Sequence, residues 1–159
     1  MDGINFNITG NLVGKFEETV KEMPHIEKLA LYRAAYYMRD QIRHELLAKI
    51  PKANTRNPKY TDTLVDAVGF TRPDGGSLIV NALGTNETGS GTFRTRFFEA
   101  GTKERFQNKR NGIKLKKKKS IGRITARPFF QGAVRASESA TVDIMRNTIS
   151  KYVQETING

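Results

Sequence analysis

The sequence predicts an α+β domain: a long N-terminal helix and a C-terminal helix packed on a small antiparallel sheet of three or four strands, with a long basic loop. Three observations carry this expectation. Leu31, Ala35, Met38, Ile42 and Leu46 recur every three or four positions, and Phe129, Phe130, Ala133, Val134, Ile144, Met145, Ile149, Tyr152 and Val153 repeat the helical habit near the other end. Between them, Val68 and Phe70 alternate on one side of "RPDGG", and Leu78, Val80 and Ala82 alternate on the other, as the arms of a hairpin do. A chain of 159 residues buries a real core in one domain but not in two sizeable ones, so residues 1–159 are read as a single unit.

Taken in order, Ile4, Phe6 and Ile8 alternate with Asn5 and Asn7 as in a half-buried strand. Asn11 then caps a first helix carrying Leu12, Val13, Phe16 and Val20. Pro24 suits the first turn of a second helix, the long one, and Pro51 ends it. "KANTRNPKYT" reads as an exposed loop, and a short helical turn at 61–66 carries Thr63 and Asp66 at capping-box spacing. After the hairpin, residues 84–92 are small and polar, with glycines spaced as in a phosphate loop but with Ser90 where the essential lysine belongs, so no nucleotide site is expected. Phe93, Phe97 and Phe98 are assigned to a segment returning to the sheet, ended by Gly101 in a conformation other residues resist. Pro128 opens the last helix.

Composition excludes several function classes. There is no cysteine, hence no disulfide, no zinc-finger spacing and no thiolate catalysis. The start of the chain lacks a basic stretch followed by an apolar run, and nothing approaches the roughly eighteen apolar residues of a membrane span, so an unexported, soluble protein with no membrane partner is expected. The glycosylation match at Asn86 carries no weight without export. Net charge is +11, but residues 103–127 hold eleven Lys and Arg against one Glu, so the rest of the chain is nearly neutral. One basic segment, residues 103–125, is expected as a flexible, solvated loop inserted in the domain.

The order of four stretches resembles the minor tail-component, or neck and tail-completion, family of long-tailed bacteriophages and prophages. They are "TDTLVDAV" at 61–68, the hairpin, "FFEAGT" at 97–102, and "ARPFFQGAV" at 126–134 leading into a C-terminal helix. They cover about the second half of the chain. The resemblance implies a structural virion protein at the head–tail joint, one subunit of a ring, with neck or tail proteins as partners, present in the virion and in the host cytoplasm during assembly. It implies neither catalysis nor a cofactor. Asp62 stands where the family favours Gly, and the insert at 103–125 is longer and more basic than is usual there.

Phe97, Phe98, Phe129 and Phe130 are expected either to pack in the core or to present one ring of each pair to a neighbouring subunit. Glu99, set between apolar residues, wants a cationic partner, and a bidentate pair with Arg127 would tie together a structural motif that includes Gly101, Thr102 and Pro128. Lys114, Lys116, Lys117, Lys118 and Lys119 suit sequence-independent contact with DNA phosphates or with an acidic partner surface, and a DNA-binding or packaging accessory protein is therefore the alternative reading. His25 and His44 stand apart and read as surface residues. No catalytic or metal constellation emerges; Asp62 and Asp66, four positions apart, are a weak Mg²⁺ pair and the basis of a least-favoured nuclease reading.

Overall fold

A computed structural model describes residues 10–55, 63–71, 77–82, 90–110 and 112–158, and side chains within these except at 10–13, 16, 90–93 and 110. The elements are α1 (Gly10–Lys49), a 3₁₀ turn (Pro51–Asn54), β1 (Gly69–Thr71), β2 (Ile79–Asn81), α2 (Ser90–Ala100), β3 (Arg105–Arg110), β4 (Ile113–Gly122) and α3 (Phe130–Asn158). The α+β class holds, with the long first and last helices packed on each other. The sheet expectation needs correction: among the described residues four strands form two separate antiparallel ribbons, β1–β2 and β3–β4, rather than one sheet. The strand expected at Ile4 to Ile8 and the tight turn at 72–76 lie outside the described residues.

Helix α1 runs 40 residues, about 60 Å at the helical rise, and Pro24 lies inside it. Two helices were expected there. Pro24 withholds the N–H that the Val20 carbonyl would accept, but Pro24 is exposed and Val20 is 68% exposed, so this turn is open to solvent. Packing carries the helix through: Thr19, Ile26 and Ala30 are all buried along one continuing face. At its far end Pro51 does stop the helix, with Ile50 displaced to φ −134° ahead of the 3₁₀ turn.

The antiparallel partner of α1 is α3. Lys15 Nζ donates to the Ile157 carbonyl at 2.9 Å, placing a cation on the C-terminal end of α3, where the helix dipole favours it. The Arg33 guanidinium lies 5.9 Å from the Tyr152 ring centre midway along. Small and hydroxylic residues line this seam, and Ser137, itself buried, satisfies its hydroxyl on the Ala133 carbonyl at 2.7 Å. The core sits lower, where Ile42, Leu46 and Ile50 of α1 meet Ala53, Val68, Phe129 and Ala133.

Thr63 and Asp66 form the expected reciprocal cap. The Asp66 carboxylate accepts from the Thr63 amide at 2.8 Å and from its hydroxyl at 2.9 Å, while the Asp66 amide donates to Thr63 Oγ1 at 3.2 Å. Removing the carboxylate in Asp66→Ala is expected to cost about 1 kcal/mol, a thermal midpoint lower by roughly 2–4 °C in a calorimetric scan. From this turn the chain enters β1, and Phe70 pairs with Val80 across the ribbon as expected. Arg43 of α1 forks onto the Val68 carbonyl at 3.1 and 2.8 Å, while Tyr32 and Tyr36 meet the Phe70 ring edge-on, at 6.0 and 5.1 Å between centres. Burial, then the nearby Arg39, holds the Arg43 guanidinium below its ordinary pKa, and it remains a cation at neutral pH.

Two further expectations are corrected. The segment holding Phe93, Phe97 and Phe98 is helix α2, not a strand. Thr95 and Phe98, three positions apart, face inward: Thr95 is buried with its hydroxyl 2.6 Å from the Ala82 carbonyl, and Phe98 packs on the core. Secondly, the basic segment is an ordered ribbon rather than an irregular loop, turning at Gly112 with φ +81°. Asn111-Gly112, between Arg110 and Ile113, is a two-residue hairpin signal that the lysine run obscured.

Candidate functional site

The two motifs that flank the basic ribbon converge on one joint, built where α2 ends and α3 begins. The first intrahelical bond of α3 runs from the Ala133 amide to the Phe129 carbonyl, which makes Phe129 the N-cap residue. Phenylalanine has no capping group. Glu99 supplies one from α2: its Oε2 accepts from the Phe129 amide at 2.8 Å and the Phe130 amide at 2.9 Å, and its Oε1 from the Gln131 amide at 3.3 Å. A carboxylate here also meets the positive end of the helix dipole. Pro128 therefore stands just before the cap, not in the first turn as expected.

The expected Glu99–Arg127 pair does not form; no ion pair joins them among the described residues. Three orphan amides satisfy the carboxylate, and the Arg127 guanidinium instead donates through Nη1 to the Lys49 carbonyl at 2.9 Å, on the negative end of α1. Lys49 in turn donates through Nζ to the Pro128 carbonyl and pairs with Glu45 at 2.8 Å. The tie between the motifs is real but is made with backbone: the Arg127 amide donates to the Phe98 carbonyl at 2.7 Å.

Gly101 leaves α2 with φ +73°, as expected of it. Space as well as conformation demands glycine, since a Cβ there would lie 2.9 Å from the Ala126 nitrogen and 3.0 Å from the Ile124 oxygen. Thr102 closes the joint, its amide donating to the Ile124 carbonyl and its hydroxyl accepting from the Ile124 amide, both at 2.9 Å. Of the four rings, Phe129 is fully buried, Phe98 and Phe130 pack partly against the core, and Phe97 is 41% exposed. One ring, not one from each pair, is presented outward.

Beyond this joint the ribbon stands free of the two-helix body, its strands packing on each other. Lys114, Lys116, Lys117, Lys118 and Lys119 are all exposed on β4, where Leu115 alone is half-buried. Phe106, Ile113 and Ile121 are also exposed, at 51%, 73% and 51%. Glu104, at the foot, accepts from the Ser120 hydroxyl at 2.7 Å. An open concavity of about 930 Å³ lies there, lined by residues 100–104 and 122–126, the two segments that lead into and out of the ribbon.

His25 and His44 are exposed on α1. Among the described residues no three His, Cys, Asp or Glu side chains cluster to hold a metal ion, and the Asp66 carboxylate is engaged by Thr63; Asp62 lies outside them. No described helix is long and apolar enough to cross a membrane. No family model, curated protein or solved structure matches the chain.

Proposed function

We propose that this protein is a structural component of a long-tailed phage or prophage particle, a subunit that joins head to tail or completes the tail, assembled as a ring at the neck. The observation that carries the reading is the joint itself. Stretches 97–102 and 126–134, on which the resemblance to the neck and tail-completion family rests, meet through Glu99, Gly101, Thr102 and Arg127, which supports reading them together as one unit. A projecting ribbon and scattered exposed apolar residues, Val20, Tyr36, Ile79 and Phe97 among them, are surfaces that neighbouring neck or tail subunits can cover. The work is assembly, without catalysis or cofactor, in the host cytoplasm and then in the virion.

A stop codon in this gene is expected to leave filled heads and separate tails in electron micrographs of induced particles, beside intact virions from the unaltered control. Intact virions from the mutant would overturn the reading. The basic ribbon favours a second one, a sequence-independent DNA-binding or packaging accessory protein. Deleting residues 103–125 separates the two: head–tail joining that survives the loss of DNA affinity favours the joining protein, and packaging lost together with DNA affinity favours the accessory protein.

A further inference from the structure

We infer that the β3–β4 ribbon is an arm that engages the phosphate backbone of double-stranded DNA, with Lys109, Lys114 and the four lysines 116–119 as its contacts. The inference rests on the arm's own chemistry and holds wherever in a particle the protein sits.

Between positions 105 and 122 there are eight Lys and Arg and no Asp or Glu. Among the described residues no ion pair neutralises this charge: nine of the ten residues of β4 are exposed, and Lys109 sits directly opposite Lys114 in the ladder, an arrangement that weakens the ribbon by itself. A polyanion removes that repulsion. Neither strand of the ribbon packs on another element, so both faces are open, and lysines 116–119 are all exposed where extra residues of β4 interrupt the ladder between the Gln107–Lys119 and Lys109–Lys114 pairs. A flat acidic protein surface meets one side only; the two walls of a groove meet both.

Dimensions agree with duplex DNA. The six residues of β3 set a ribbon about 20 Å long, and the major groove of B-form duplex, about 12 Å wide, admits a two-stranded ribbon. Other occupants fit less well. A second copy of the arm carries the same charge, and lysines along a strand discourage edge pairing. Single strands need successive aromatic platforms, and the arm has one exposed ring, Phe106 at its foot. Duplex RNA has a major groove too deep and narrow for the ribbon. Lysine is a point charge without the planar fork that reads bases, so binding is independent of sequence.

The test is fluorescence anisotropy of the full chain with a random-sequence duplex of about 30 base pairs, roughly three turns, titrated from about 50 to 200 mM salt. Changing lysines 116–119 together to alanine is expected to weaken binding by at least tenfold and to flatten the salt slope by about four, whereas changing all four to arginine preserves both. The four side chains are exposed, so the melting temperature should not move. Two double variants, Lys116→Gln with Lys118→Gln and Lys117→Gln with Lys119→Gln, each remove two of the four charges, and each should produce about half of that change in slope. Loss confined to one double variant would overturn the engagement of all four lysines. Unchanged affinity in the quadruple alanine variant would overturn the arm altogether. Polyglutamate that displaces the duplex as well as unlabelled duplex does would assign the arm to an acidic protein, and tighter binding of a single strand would replace the duplex.

Discussion

Gly101→Ala is expected to destabilise the protein by about 3 kcal/mol, from a left-handed backbone cost of roughly 1–2 kcal/mol and an overpacking cost of roughly 1–3 kcal/mol. The two contributions have separate origins. The first comes from φ +73°, which any L side chain with a Cβ resists. The second comes from contact at 2.9 and 3.0 Å with backbone atoms of Ala126 and Ile124, which cannot swing away as a side chain would. For a chain of this size the midpoint should fall by roughly 6–12 °C in a thermal scan. Gly101→Asn separates the causes, since asparagine tolerates the left-handed region but still carries a Cβ. If Asn restores most of the stability, φ dominates; if Asn and Ala are equally damaging, the close approach does. A midpoint within a degree or two of the parent protein would mean that the segment at 124–126 yields easily and that the joint is not tight.

Glu99→Ala is expected to cost about 2 kcal/mol, combining the usual worth of an N-cap with that of an anion at a helix N-terminus. Three amides of the last helix lose their acceptor together, and no side chain at Phe129 can replace it. Glu99→Gln keeps one acceptor oxygen and loses the charge, so about half the effect should remain, readable as a lower urea midpoint at unchanged slope. A double-mutant cycle with Arg127→Ala tests the geometry directly. Glu99 and Arg127 cap different helices, so their effects should nearly add, with a coupling below about 0.5 kcal/mol. A coupling of 1 kcal/mol or more would reinstate the ion pair that the residue types suggest.

These two substitutions act on the joint between the two stretches that flank the ribbon. Glu99, Gly101 and Thr102 hold the feet of the ribbon and the start of the last helix in one place. An insertion between the motifs can lengthen or gain charge without disturbing that joint, because its two ends are already fixed to each other by the Thr102–Ile124 and Phe98–Arg127 backbone bonds. The surface available to a partner lies further out, on the arm and on the exposed faces of the helices.

Much of this was legible in the residues themselves. The long helix and its stop at Pro51, the Thr63–Asp66 cap, the Phe70–Val80 ribbon and the need for glycine at 101 all follow from rules that act over a few positions: missing amides, side-chain oxygens within reach, alternation, and a forbidden φ. The signal for the basic ribbon was equally local, in Asn111-Gly112, and was masked because a ribbon solvated on both faces has no apolar alternation. Tertiary structure alone decided the rest. That Pro24 does not break α1 depends on which face packs against α3; that residues 90–100 are helical depends on Thr95 and Phe98 finding the hairpin and the core; and the choice of Glu99 between a guanidinium and three amides depends on where a helix some thirty positions away begins. Local chemistry sets what each residue can accept or donate, and only the packed chain brings its partner within reach.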